Sequence, residues 1–203
     1  MLEPNNAEAG LHILLGGGIG VGKSAASRRF STLGATVVEA DRIGHVLLER
    51  GGSAADDVAQ RWPEVVVGGS VDRARLAAIV FADPEALAEL ERMTHPEIIR
   101  SIADLAQLHH DLVVEIPVLL EPDGDWTRVL VRAPALLRRA RAIERGGTPD
   151  DVDRRMASQV SVDAWRAWAD EVIDNVGTLD ELNRGVDALW RRLKATDGKD
   201  TPA

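Results

Sequence analysis

The chain contains no cysteine. Disulfides and thiolate metal sites are therefore excluded, and the composition suits a reducing compartment. No apolar run approaches the roughly 20 residues that cross a bilayer. Residues 1–10 are polar, carry Glu3 and Glu8, and lack the basic-then-apolar pattern of a secretory signal. These absences predict a cytoplasmic protein with no membrane partner. A basic surplus is missing too: 33 acidic side chains stand against 24 lysines and arginines, a formal net charge of −9. A general nucleic-acid binder needs a basic surface to neutralise phosphates, so no nucleic acid is expected as a partner. Local arginine clusters can still serve a small polyphosphate. There is no internal repeat, no long low-complexity segment and no Asn-Lys-x-Asp guanine-reading motif. What remains is 203 residues, 45% of them hydrophobic, which suits one compact domain with a sizeable core.

The chain is organised around Gly17-Gly18-Ile19-Gly20-Val21-Gly22-Lys23-Ser24. An apolar run, Leu11 to Leu15, precedes it and a helical stretch from Lys23 to Leu33 follows. Strand, glycine loop and helix at the spacing G-x-x-x-x-G-K-[ST] form a phosphate-binding loop. Glycines let the backbone curl so that several N–H groups point into one concavity. The helix N-terminus adds free N–H groups and a favourable dipole. The nucleotide contacts expected here come from Gly18, Ile19, Gly20, Val21, Gly22, Lys23, Ser24 and Ala25. Lys23 reaches the β- and γ-phosphates of ATP, and the Ser24 hydroxyl is the metal ligand, for Mg²⁺.

Beyond the loop, Gly34 closes the first helix, and Ala35 to Glu39 reads as a buried strand ending at Ala40-Asp41. Ligands of open parallel sheets sit beyond the carboxyl ends of the strands. Asp41 thus fits three roles: general base, partner of Mg²⁺, or N-cap of a helix starting at Arg42. Ala54 to His110 reads as mainly helical, interrupted at Pro63, Gly68-Gly69 and Pro84. It is far longer than a parallel crossover requires, which predicts an inserted subdomain for the acceptor substrate. Trp62 and Phe81 are expected in its core, and His95-Pro96 is expected to be structural. Leu112 to Pro117 is the next strand, where Glu115 either orients the metal shell or is a paired structural charge. Thr127 to Arg132 is another strand. The helix after it carries Arg138, Arg141 and Arg145 on one face, and Gly146-Gly147 stops it. Thr148-Pro149 starts a second helix, in which Arg155 faces Gln159 at i+4. Such an arginine-rich hairpin suits a phosphate-covering lid; its plain alternative is a solvated basic face. Trp165 and Trp168 read as core or hinge packing, Ala169 to Asn175 as the last strand, and Leu179 to Leu193 as an amphipathic closing helix. The expected fold is a three-layer α/β/α sandwich with a parallel five-stranded sheet, of the P-loop nucleoside-triphosphate hydrolase type. One domain spans 11–193. Its core is 11–44, 111–137 and 169–193, its helical insert 45–110 and its lid 138–168; residues 1–10 and 197–203 read as flexible tails.

Taken in order, several stretches resemble one family, dephospho-coenzyme A kinase. They are residues 17–24, Ala40-Asp41, Val80-Phe81, His95-Pro96, Ile116 to Glu121, Arg155 with Gln159, and Ala169-Asp170 with Ile173 and Asn175. The resemblance implies transfer of the γ-phosphoryl of ATP to the ribose 3′-hydroxyl of dephospho-CoA, the final step of coenzyme A synthesis. It implies Asp41 as the acceptor-activating base, Lys23 and Arg155 as stabilisers of the transferring group, and Ser24 as the Mg²⁺ ligand. Arg141 and Arg145 match further lid arginines that contact the nucleotide. The expected partners are ATP and dephospho-CoA, and the expected state is a monomer or weak homo-oligomer. The chain departs from the family pattern at Glu39 (usually Asp), Gly16 (usually Thr), Trp62-Pro63 (often Phe-Gly) and Arg141-Ala142 (Arg-Leu). Those departures leave two alternatives: a kinase for another small alcohol or nucleoside, and a nucleotide-binding regulator without kinase activity.

Overall fold

A computed structural model describes residues 10–197. The predicted tails at 1–9 and 198–203 lie outside the described residues. The chain divides into two compact units. Among the described residues, the first holds 10–38, Leu105–Leu119 and 124–197; the second holds Glu39–Asp104 and Leu120–Asp123.

The first unit is built on a five-stranded sheet of β1 (His12–Gly16), β2 (Thr36–Glu39), β5 (Leu112–Glu115), β6 (Thr127–Arg132) and β7 (Glu171–Asp174) in the order β2-β5-β1-β6-β7. The ladders from β1 to β5, β1 to β6 and β6 to β7 are parallel. Ile13, Leu14 and Leu15 are at most 1% exposed, so β1 is covered on both faces, as a central strand of a parallel sheet must be. The register sets Leu15 beside Glu115 and Gly16 beside Leu130, which brings the glycine loop out at the carboxyl edge.

Helix α1 (Lys23–Thr32) and helix α9 (Leu179–Asp197) share a core with the sheet. Leu182, Val186, Leu189 and Trp190 recur at helical spacing and meet Ala26 and Phe30 of α1. The Phe30 and Trp190 rings stand edge to face at 5.8 Å. Arg29 donates two hydrogen bonds to the Asp187 carboxylate, at 2.6 and 2.7 Å, and ties the two helices together. Gly34 has φ +104°, the left-handed turn that lets the chain leave α1 for β2. Helices α6 (Ala135–Glu144), α7 (Pro149–Ser158) and α8 (Val162–Trp168), which make up most of the expected lid, belong to the same unit as the sheet.

The second unit contains α2 (Ala40–Leu47), α3 (Ala55–Arg61), a 3₁₀ turn at Pro63–Val65, α4 (Arg73–Val80) and most of α5 (Pro84–Leu108). Its core is Val58, Trp62, Val65, Leu76, Val80 and Ala86. The expected interruptions at Pro63, Gly68-Gly69 and Pro84 are all present, and one expectation, burial of Phe81, needs correcting. Gly68-Gly69 is a hairpin turn between β3 (Val66–Val67) and β4 (Ser70–Val71), with φ of +60° and +80°; two successive positive φ values are what a tight hairpin demands. Pro84 opens α5 just after the break at residues 81–83, because proline is tolerated at the first position. Phe81 is 79% exposed: the buried stripe of α4 runs through Leu76 and Val80, and Phe81 falls just past it. Trp62 is buried as expected.

Phe30 is completely buried between the sheet and α9. Phe30→Ala is expected to lower stability by about 3–5 kcal/mol, read as a fall in the urea midpoint at unchanged slope.

Candidate active site

The loop between β1 and α1 curls through φ values of +136°, +76° and +100° at Gly17, Gly20 and Gly22. Gly22 is the N-cap of α1, no side chain caps the helix, and its first turn holds no acidic residue. The positive end of the helix dipole is thus left for an outside anion. The Lys23 side chain arches back to donate to the Gly17 carbonyl at 2.7 Å. Two loop donors are engaged within the protein: Ile19 N–H on Gln159 Oε1 at 2.8 Å, and Ala25 N–H on the Gly22 carbonyl at 3.1 Å.

The outer side of the loop is held from far along the chain. The buried Asn175 donates from Nδ2 to the Val21 carbonyl at 2.8 Å. Arg141 in turn donates to the Asn175 carbonyl (3.1 Å), Asn175 Oδ1 (3.2 Å) and the Gly177 carbonyl (3.2 Å). Arg138, only 9% exposed, donates from Nε to the Ile19 carbonyl at 3.0 Å. Burial pushes its pKa down from the ordinary arginine value, yet a guanidinium keeps its charge at any physiological pH. Contact is close throughout. A Cβ on Gly20 would fall 2.2 Å from the Arg138 carbonyl oxygen, and one on Gly22 would fall 2.2 Å from Asn175 Nδ2.

Glu115, half-buried at the end of β5, accepts from Ser24 Oγ at 3.3 Å and Ser27 Oγ at 3.0 Å. These two donors are both serine hydroxyls of α1. Arg145 and Arg155 line a cavity of about 460 Å³ together with Ile19, Gly146, Gly147 and Thr148. Arg155 does not face Gln159. Helix α7 ends at Ser158, Gln159 is extended, and Arg155 pairs with Asp151 at 2.9 Å. Thr148 caps α7 by accepting from Asp151 N–H at 3.3 Å, as its sequence predicts. A second cavity of about 300 Å³ is lined by Gly18, Val21, Arg138, Trp165 and Val176 among others. In the second unit, α2 starts at Ala40 and Glu39 is its N-cap, so Asp41 lies in the first turn and is not the cap. Its carboxylate is exposed.

The sequence model of one family, dephospho-CoA kinase, matches residues 11–181. A dephospho-CoA kinase of Thiobacillus denitrificans is 42% identical over 187 residues, covering 88% of this chain and 93% of the relative. That of Leifsonia xyli subsp. xyli is 40% identical over 192 residues, covering 89% and 97%. The chain belongs to the dephospho-CoA kinase family. The crystal structure of TT1252 from Thermus thermophilus superposes with a TM-score of 0.75 at 30% identity, covering 91% of this chain and 98% of that one.

One departure from the dephospho-CoA kinase pattern now has a structural counterpart. The Trp165 ring lies against Gly16, where an added Cβ would fall 2.2 Å from the indole. Glycine at 16 and tryptophan at 165 therefore go together. Sequence reasoning named Arg138, Gln159 and Asn175 but did not assign any of the three to holding the loop. The signals available were the shared helical face of Arg138 and Arg141, and the Asn175-Val176-Gly177 turn after β7.

Gly20→Ala adds a Cβ against backbone and forces a non-glycine residue to positive φ. It is expected to cost about 1–3 kcal/mol of local strain and to abolish nucleotide binding in a titration, while far-UV circular dichroism stays native.

Proposed function

We propose that the residues described above transfer the γ-phosphoryl group of ATP to the ribose 3′-hydroxyl of dephospho-CoA. ATP-dependent phosphorylation of dephospho-CoA in coenzyme A synthesis is the activity of the family to which the chain belongs. The observation that carries the residue-level reading is the loop itself: a curled backbone on an uncapped helix, Lys23 arched over it, and a serine hydroxyl beside a carboxylate.

In this reading the backbone N–H groups of Gly20 to Ser24 bind the β- and γ-phosphates. Lys23 leaves the Gly17 carbonyl for the phosphoryl oxygens and stabilises their charge during transfer. Arg155 gives up Asp151 for the transferring group; an exposed i,i+4 ion pair is weak enough to exchange. Asp41, with an exposed carboxylate, takes the proton of the attacking hydroxyl. Arg145 and Arg141 flank the nucleotide, Arg141 through the Asn175 turn that it braces. Residues 45–110 form the acceptor-binding part and 138–168 the lid.

Ser24 and Glu115 are the residues that would hold Mg²⁺. Both offer hard oxygen donors, and Mg²⁺ asks for only one or two protein groups beside phosphate and water. That fits the absence, among the described residues, of any cluster of three or more potential ligands. The ion supplies neutralisation of charge on the β- and γ-oxygens. The setting we infer is the cytoplasm. Among the described residues, no helix is long and apolar enough to cross a membrane.

ADP release is expected with ATP and dephospho-CoA and absent with adenosine or ATP alone; equal release with adenosine would overturn the acceptor assignment. Asp41→Asn is expected to lower kcat at least about a hundredfold, in the range of a lost general base, with ATP affinity unchanged in a binding titration. Lys23→Ala is expected to lose a comparable factor in kcat, about 10²–10³, as a lost charge stabiliser does.

A further inference from the structure

The backbone of Ile19 is gripped on both sides of its Cα, through the two peptide groups that flank it. Its carbonyl accepts from Arg138 Nε at 3.0 Å and its N–H donates to Gln159 Oε1 at 2.8 Å. The circuit is closed by Arg138 Nη2, which donates to the same Gln159 oxygen at 3.1 Å. The three groups come from three elements: Ile19 from the loop, Arg138 from α6, and Gln159 from the residue that ends α7. There is no slack around them. A Cβ on Gly18 would fall 2.2 Å from Arg138 Nη2 and 2.6 Å from Gln159 Oε1.

Two chemical details matter. Gln159 uses only its oxygen, which receives two donors, one of them charged; such bonds are stronger than neutral ones. Arg138 is buried and, among the described residues, has no carboxylate as hydrogen-bond acceptor, so the clamp is oriented by geometry and not by an ion pair. Because Gln159 ends α7, any movement of that helix that withdraws its oxygen releases Ile19 N–H and weakens the hold on the first half of the glycine loop.

From this circuit we infer that Arg138 and Gln159 are positioning residues for ATP: they hold the Ile19 backbone so that the loop keeps its phosphate-receiving curl, and they couple the C-terminal end of α7 to nucleotide affinity. Neither residue touches the reacting atoms in this scheme. The inference rests on the reading that residues 17–24 bind ATP. It differs from simple packing in one consequence: an acceptor oxygen at 159 is sufficient, and the amide nitrogen of Gln159 is dispensable.

The test uses the full-length protein and ATP without acceptor, with hydrogen exchange of the Ile19 amide as a second readout. Gln159→Met keeps the length and loses the acceptor. It is expected to raise the ATP Kd about tenfold, the loss appropriate to a charge-assisted hydrogen bond, and to speed exchange at Ile19 while the interior amides of α1 stay protected and the far-UV spectrum stays native. Gln159→Glu restores an oxygen for both donors and is expected to return Ile19 exchange to the native rate, while its added negative charge beside the loop keeps ATP binding weaker than native. Arg138→Lys keeps the charge but loses the fork, and is expected to weaken ATP binding as Gln159→Met does. Native affinity in Gln159→Met with Ile19 still protected would overturn the inference. So would a Gln159→Glu protein whose Ile19 amide exchanges as fast as in Gln159→Met, since the amide nitrogen would then be what matters. Failure of the ATP reading looks different: the native protein would not bind ATP, while Ile19 exchange in the nucleotide-free protein would still report the clamp.

Discussion

A backbone curled so that its N–H groups converge on an anion turns its carbonyls outward, and those carbonyls need hydrogen-bond donors of their own. In this protein three alternate carbonyls of the loop are served by side chains: Gly17 by Lys23, Ile19 by Arg138 and Val21 by Asn175. The loop supplies only one of these donors, Lys23, and the other two come from outside, because four of its first six residues, Gly17 to Gly22, are glycine. The need for outside donors explains why residues beyond 130 crowd so closely on a motif that is complete by residue 24. It also explains why added Cβ atoms on Gly18, Gly20 and Gly22 would collide with Arg138, Gln159 and Asn175. The glycines are required as much by close approach as by φ.

The supports are themselves layered. Asn175 reaches Val21 only because β7 delivers it to the carboxyl edge of the sheet and Arg141 fixes its carbonyl and its side-chain oxygen. Arg141, read as a lid residue that contacts nucleotide, therefore also ties α6 to the turn after β7. Three helices of the stretch we propose as the lid are anchored at the glycine loop and the strand end before it: α6 through Arg138, the end of α7 through Gln159, and α8 through the Trp165 ring on Gly16. What stays exposed is the tip, with Arg145, Gly146 and Arg155. A hinged cover needs this division between an anchored base and a tip with few partners.

The five strands and the phosphate loop were legible because each is a local pattern. Continuous apolar runs mark Ile13 to Leu15 and Leu112 to Val114 as doubly covered strands, and residues 17–24 announce themselves by spacing alone. The loop's supports were not legible because they pair across 119, 140 and 154 positions of sequence, a separation that no helical or strand period encodes. Arg155 was set against Gln159 because the i+4 rule assumes that the helix continues. The helix stops at Ser158, and the glutamine turns to the loop instead. Phe81 fails for a related reason: type favours burial, but one position past the stripe of α4 is enough to expose it. The Gly68-Gly69 hairpin is too short for alternation to reveal, since each of its strands has two residues.

An acidic protein that binds a polyanion has to manage its own charge, and the pairing of its arginines shows how. Arg29, Arg128, Arg139 and Arg192 each donate two side-chain hydrogen bonds to one carboxylate, of Asp187, Asp170, Asp153 and Glu171 respectively. Arg132 pairs with Asp174 in the same way. The guanidinium bonds hold the Asp187, Asp170, Asp153 and Asp174 carboxyls below their ordinary pKa. Each such couple is close to neutral seen from a distance. The two arginines that support the loop are treated differently: the acceptors of Arg138 and Arg141 are peptide carbonyls and carboxamide oxygens, all of them neutral. Their charge is oriented but not cancelled. A net charge of −9 is therefore compatible with a positive field at the loop, because within a Debye length of about 8–10 Å the local arrangement outweighs the total. Replacing either neutral acceptor set by a carboxylate would hold the arginine just as firmly and would give up the field that draws a phosphate to the loop.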